Sequence, residues 1–336
     1  MKKTVITGTG RFLPSWRVTN QELTKFMDTS DEWIRQRTGI KQRYWTPLEG
    51  GVGASDLGVG AAKLAVDRAG WKSEDIDLII FSTLSPDLFF PGSGGLLQHK
   101  MGLKNTPALD IRQQCTGFLY GLELADAYIK SGLAKKILFV GAEVQSALLD
   151  ISTRGRDMAV IFGDGAAAVC IEGLDTEDQV GILGSALHSD GETAESLMME
   201  APSCRLKPPI DNKLMEQGRH FPSMNGKLIF KKAVQLLPKV TNEVLNKAGL
   251  LLEDIDLVIP HQANIRINQA YARAMNLAED KIYHNIQEYG NTTAASIPLA
   301  LDEALEKNQV GKGKTVLFLG LGAGITWGAV IYRFPE

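Results

Sequence analysis

The chain has 336 residues, of which 44% are hydrophobic and 22% charged, and a formal net charge of −3. That composition supports a sizeable buried core and excludes a disordered chain. The small charge, without a Lys/Arg block, argues against nucleic acid or an anionic membrane surface as the main partner. The length exceeds a typical domain of roughly 100 to 200 residues and suits two domains, or one domain doubled.

At the N-terminus, MKKTVITGTGRFLP offers only TVIT before the glycines. A signal peptide needs an apolar segment of about 7 to 15 residues, and a membrane span needs about 18; neither occurs, so a cytoplasmic location is expected. The glycines at 8 and 10 lack the third glycine and the following helix of a dinucleotide fingerprint. Cys115, Cys170 and Cys204 are an odd set with no metal-ligand spacing, so neither a disulfide nor a metal site is expected.

Further along, SEDIDLIIFST (73–83) matches LEDIDLVIPHQ (252–262) at an offset of 179, and each is preceded by a helical pattern ending in Ala-Gly. The same offset carries KKILFVGAE (135–143) onto KTVLFLGLG (314–322) without a gap. Each half therefore reads helix, buried apolar strand, helix, apolar strand. This pattern is a duplicated α/β fold, divided here as 1–175 and 176–336 and related by a pseudo-twofold axis. The offset makes Cys115 the equivalent of Ala294, and Ser82 the equivalent of His261. Loops at such strand and helix ends converge near the axis, which lets Cys115, His261 and Asn291 meet.

A lone cysteine is most often a small buried hydrophobe. Cys115, however, follows the end of an apolar alternation at Ile111 and the polar run Arg112-Gln113-Gln114, and Thr116-Gly117 then opens a helix. At a helix N-terminus the dipole and free N–H donors favour a thiolate, with a pKa below the usual ~8.5. Cys115 is therefore read as a nucleophile, and Cys170 and Cys204 as structural. His261 follows the apolar LVIP at a strand end, and Asn291 in YGNTTAAS is either a turn residue or the equivalent half's contribution to the site. GLGAG (320–324) lies between two strands, which suits close backbone approach and N–H donors rather than nucleotide phosphates, and FGDGAAA (162–168) reads as a tight turn held by its Asp.

Cys, His and Asn together suit either papain-like proteolysis or thioester condensation. The neighbouring residues decide between them. DTSDEWIRQRTGI (28–40), CTGFLYGLELADAYIKSG (115–132), FGDGAAA, PHQANIRI (260–267), GNTTAASIPLALDEAL (290–305) and GAGITWGAVIYRF closely resemble, in order, the β-ketoacyl-[acyl-carrier-protein] synthase III family. The resemblance implies a thiolase-like fold of five layers, α-β-α-β-α, and a homodimer. It implies an acyltransferase that initiates fatty acid synthesis: Cys115 takes the acyl group of an acyl-CoA primer, and malonyl-ACP then loses CO₂ and condenses with it. The alternative is a related acyltransferase of secondary metabolism, or one of long-chain head-to-head condensation. Both thioesters are substrates, and no cofactor or metal is implied.

By the same likeness His261 and Asn291 stabilise the malonyl-derived enolate, while the N–H groups of Cys115 and Ala323 form a second oxyanion hole. Trp33 stacks on the CoA adenine, with Arg37 and Arg154 or Arg156 near its phosphates and Asn264 along the pantetheine. Lys231, Arg266 and Arg273 receive the acidic acyl carrier protein. Phe90, Leu321 and Ile325 shape the acyl pocket, Phe90 either by reaching a partner subunit's pocket or as a plain interface aromatic. The sequence departs from the family pattern at Arg112-Gln113-Gln114, where small residues are usual, and at Leu321, Ala323 and Ile325, which leaves primer choice open.

Overall fold

The computed structural model describes residues 2–336. Nine strands build two sheets. The first contains β1 (Lys2–Phe12), β2 (Leu78–Ser82), β3 (Ala108–Ile111), β4 (Lys136–Glu143) and β5 (Gly165–Asp175) in the order β1-β5-β4-β2-β3. The second contains β6 (Gly181–Ser189), β7 (Leu257–Pro260), β8 (Thr315–Gly322) and β9 (Thr326–Arg333) in the order β7-β8-β9-β6. The strands picked out by the repeat pair in parallel, β2 with β4 and β7 with β8. They are flanked by antiparallel strands, so each sheet is mixed.

Helix α1 (Ala54–Arg68) buries Leu57, Ala61, Ala65 and neighbouring residues at helical spacing against the outer face of the first sheet. Helix α2 (Gly117–Lys130) and helix α4 (Ser296–Glu306) lie between the two sheets. There Phe118, Leu122, Ile297 and Leu301 pack with Phe139 of one sheet and Phe318 of the other. Helix α3 (Gly226–Ala248) covers the outer face of the second sheet. The layers are α-β-α-β-α. Each fully buried Leu, Ile or Phe contributes roughly 1.5–3 kcal/mol, so the shared middle layer fixes the two halves against each other.

The duplication is visible residue by residue. Strands β4 and β8 have bounds related by the same 179 residues. The turns Gln114–Thr116 and Thr293–Ala295 precede α2 and α4, and they begin with two left-handed non-glycine residues, Gln114 (φ 44°) and Thr293 (φ 48°). These two turns pack together between the sheets, so Cys115 and the segment after Asn291 meet at the axis. In the FGDG turn, buried Asp164 accepts from Thr46 N–H at 2.7 Å and Ser146 N–H at 2.8 Å, anchoring the first half's loops.

Candidate active site

Cys115 occupies the single 3₁₀ turn Gln114–Thr116 that precedes α2, and it is 7% exposed. Its sulfur is faced by the backbone N–H groups of Cys115 and Ala323. The sequence argued for a thiol made acidic by a helix terminus. The structure corrects this: burial, reinforced by the nearby Glu143 carboxylate, pushes the Cys115 thiol up to about 12, and two N–H donors only partly offset it. In the unliganded chain the sulfur is a thiol.

Gly322, at the end of β8, presses on this turn. A Cβ there would lie 2.9 Å from Cys115 Cβ and 3.0 Å from its backbone nitrogen. Gly322→Ala should therefore move the nucleophile, slow its acylation at least about tenfold and lower the thermal unfolding midpoint, because overpacking against backbone costs about 1–3 kcal/mol. Timed intact-protein mass spectrometry after mixing with acyl-CoA checks this.

His261 follows β7 and is 4% exposed, its N–H held by Leu319 C=O at 2.7 Å. Its Nδ1 lies 2.5 Å from Ser296 Oγ, which also receives Gln262 N–H at 3.4 Å. A Ser296 hydroxyl that donates to Nδ1 leaves the ring proton on Nε2. Nε2 is buried and has no partner among the described residues. Burial also drops the ring pKa to about 3, so the imidazole is neutral. In that tautomer Nε2 is a neutral donor on the cavity wall, not a cation.

Asn291 is 5% exposed and tied by its backbone to Ile161 C=O (2.9 Å) and Gly163 N–H (3.1 Å). Its Oδ1 accepts from Thr293 N–H at 2.9 Å, which leaves the NH₂ as the group offered to the cavity. Cys115, His261 and Asn291 line one cavity of about 770 Å³. It combines a cysteine thiol, two neutral N–H donors on side chains and two on the backbone. That set suits transfer of an acyl group through a thioester and stabilisation of two separate oxyanions.

The other sequence-derived positions divide. Leu321 lines the cavity, whereas Ile325 does not: it is buried in the core of the second sheet, with its N–H and C=O paired to Asp190. Phe90 is 80% exposed and stands outside this chain's cavity, while its neighbour Phe89 lines it. Arg112 and Gln114 also contribute to the wall. At the surface, the Arg37 and Arg156 guanidinium carbons lie 4.3 and 4.6 Å from the centre of the Trp33 ring. Arg154 instead binds Asp150 (2.6 Å) and Glu216 C=O (3.2 Å), so Arg156 is the arginine beside Trp33. Asn264 lines the cavity with both amide atoms engaged, capping Arg266 N–H and donating to Arg37 C=O, each at 2.9 Å. Lys231, Arg266 and Arg273 are exposed.

Two functional neighbours were not singled out from the sequence, Ser296 and Glu143. The offset of 179 identifies both, since it relates Ser296 to Gly117 and Glu143 to Gly322, each in contact with a residue of the site or its repeat equivalent.

The sequence pattern described as 3-oxoacyl-[acyl-carrier-protein] synthase III matches residues 109–191, and the pattern of its C-terminal portion matches residues 245–334. A β-ketoacyl-[acyl-carrier-protein] synthase III of Clostridium acetobutylicum is 42% identical over 336 residues, covering all of both chains. One from Caldanaerobacter subterraneus subsp. tengcongensis is 41% identical over 331 residues, 98% of each. The crystal structure of 3-oxoacyl-[acyl-carrier-protein] synthase III from Aquifex aeolicus VF5 superposes with a TM-score of 0.88 at 42% identity, covering 99% of this chain and 100% of that one.

Proposed function

The chain belongs to the β-ketoacyl-[acyl-carrier-protein] synthase III family, and from that premise we propose how its residues carry out an initiating, decarboxylative condensation between an acyl-CoA primer and malonyl-ACP. The observation that supports this best is the single cavity that holds the Cys115 thiol with the His261 and Asn291 donors.

In the first half-reaction the Cys115 sulfur attacks the primer's thioester carbonyl. The tetrahedral oxyanion falls to the N–H groups of Cys115 and Ala323; on its collapse the C–S bond to CoA breaks, and the CoA sulfur takes up the proton that the Cys115 thiol gives up, leaving as free CoA thiol. In the second, the carboxylate of malonyl-ACP departs as CO₂. The electron pair left behind forms an enolate whose oxygen takes hydrogen bonds from His261 Nε2–H and the Asn291 NH₂. That carbanion attacks the acyl-Cys carbonyl; collapse breaks the C–S bond and releases β-ketoacyl-ACP, and the expelled Cys115 sulfur takes a proton from solvent to become a thiol again. No cofactor or metal enters; both thioesters are substrates.

Trp33, Arg37 and Arg156 receive the CoA nucleotide end, with Arg154 at its edge and Asn264 offering backbone and stem to the pantetheine. Exposed Lys231, Arg266 and Arg273 face the acidic carrier protein. A homodimer is supported by the exposed Leu88, Phe89 and Phe90 and by β3, an edge strand bonded on one side only. In that dimer Phe90 reaches toward the partner. A cytoplasmic location accords with three free cysteines. Among the described residues no helix is long and apolar enough to cross a membrane.

Relatives named as synthase III at 41 and 42% identity favour the initiating role over head-to-head or secondary-metabolic condensation. Acyl-CoAs of increasing chain length, each followed by malonyl-ACP, provide the test. Short primers should load and give β-ketoacyl-ACP, and loading by long chains alone would contradict the role.

A further inference from the structure

Glu143 ends β4 and is completely buried, yet among the described residues it forms no salt bridge. Its carboxylate is surrounded by donors: Ser85 Oγ at 2.6 Å, Gln145 Nε2 at 3.0 Å, Leu84 N–H and Ser85 N–H at 3.1 Å, and Thr83 Oγ1 and Ala294 N–H at 3.3 Å. The two hydroxyls are oriented by their own donors. Val144 N–H gives to Ser85 Oγ at 2.8 Å and Ser85 N–H gives to Thr83 Oγ1 at 3.1 Å, so both hydroxyls turn their protons to the carboxylate. The donors favour the carboxylate, but burial outweighs them and pushes the Glu143 carboxyl up to about 7, so it ionises only toward neutral and alkaline pH.

The position has a meaning in the repeat. Glu143 is the equivalent of Gly322, and Cys115 of Ala294. Each strand end touches the turn of the opposite half: Gly322 meets Cys115, and Glu143 takes Ala294 N–H. The turn so held, Thr293–Ala295, supplies the N–H that orients Asn291 and leads directly into Ser296, which orients His261. It also packs against the Cys115 turn.

Resting on the condensing role given above, we propose that Glu143 is a positioning residue for that reaction: a buried carboxyl group that clamps the turn between Asn291 and Ser296 and, where ionised, adds its charge to the field at the Cys115 sulfur. Other groups around that sulfur do not substitute for it. His261 is neutral, Arg112 reaches the cavity wall from an exposed position, and Asp87 is engaged by Ser55 at 2.6 Å with Lys100 4.0 Å away. Glu143 is a buried carboxyl group that acts on the Cys115 sulfur, and among the described residues it has no ion-pair partner.

Two variants separate charge from reach. Glu143→Gln removes the charge, and the pH midpoint of Cys115 alkylation by iodoacetamide should fall by about one unit or more, a shift that a purely structural role would not cause. Glu143→Asp keeps the charge but shortens the reach to Ala294 N–H; its alkylation midpoint should stay at the parent's value while malonyl-ACP decarboxylation drops at least about tenfold. A Gln variant with the parent's midpoint, or an Asp variant with the parent's decarboxylation rate, overturns the proposal. If the Gln protein does not fold, the Asp variant decides alone. A parent that loads Cys115 but never decarboxylates malonyl-ACP would refute the condensing role instead, and the alkylation comparison would still judge Glu143.

Discussion

Cys115→Ala should abolish acyl-enzyme formation and lower β-ketoacyl-ACP production at least about 10³-fold, because the covalent route is lost and the other groups only stabilise charge. The structure makes the expectation specific to this cysteine. Cys170 is buried within β5, where its side chain packs against α1 and the first sheet, and Cys204 is exposed in the segment before Pro208. Neither shares the cavity with His261 and Asn291. The alanine protein should keep its fold, since removing a small sulfur leaves a turn still held by Thr116 Oγ1, which donates to Gln113 C=O at 2.8 Å. Product formation with acyl-CoA and malonyl-ACP, followed beside thermal unfolding, measures both.

His261→Ala and Asn291→Ala should each leave acyl loading within a few-fold of the parent and reduce malonyl-ACP decarboxylation about 10²–10³-fold, the loss expected for one preorganised oxyanion donor. The division follows from which N–H groups face which oxygen. In the proposed reaction the acyl-Cys oxyanion falls to the N–H groups of Cys115 and Ala323, which face the sulfur and which neither variant alters. In the same proposal the enolate oxygen falls to the two side chains, which Ser296 and Thr293 N–H hold in place. A burial-depressed, neutral imidazole also predicts that decarboxylation by the parent has no downward break near pH 6 from protonation of His261, because that ring gains its proton only near pH 3. Equal loss of loading and decarboxylation in either variant would contradict the assignment.

How far the sequence spoke depended on whether a feature was local or arose from contact across the axis. The buried runs DLIIFS and KILFVGAE are strands because continuous apolar residues flanked by helices require burial on both faces, and their repetition placed Cys115 opposite Ala294 before any coordinates. The mixed sheets were less legible. The antiparallel strands β5, β6 and β9 depend on hairpin and crossover geometry that apolar content alone does not encode. The thiol's acidity was misjudged for a related reason: a helix start is a local signal, whereas burial and the Glu143 field come from residues 28 or more positions away. Ile325 falls outside the cavity because it sits in the turn between β8 and β9, where pairing of its backbone with Asp190 sets its side chain in the core of the second sheet. Glu143 and Ser296 carried their signal in the offset itself, as partners of Gly322 and Gly117.

The most direct test is to incubate the protein with a short acyl-CoA, digest it, locate the adduct, and then chase a parallel sample with malonyl-ACP. The account predicts one acyl group on the peptide containing Cys115, discharged by malonyl-ACP as CO₂ and β-ketoacyl-ACP appear. An adduct on Cys204 or elsewhere, or an acyl-Cys115 that malonyl-ACP leaves untouched, would contradict it.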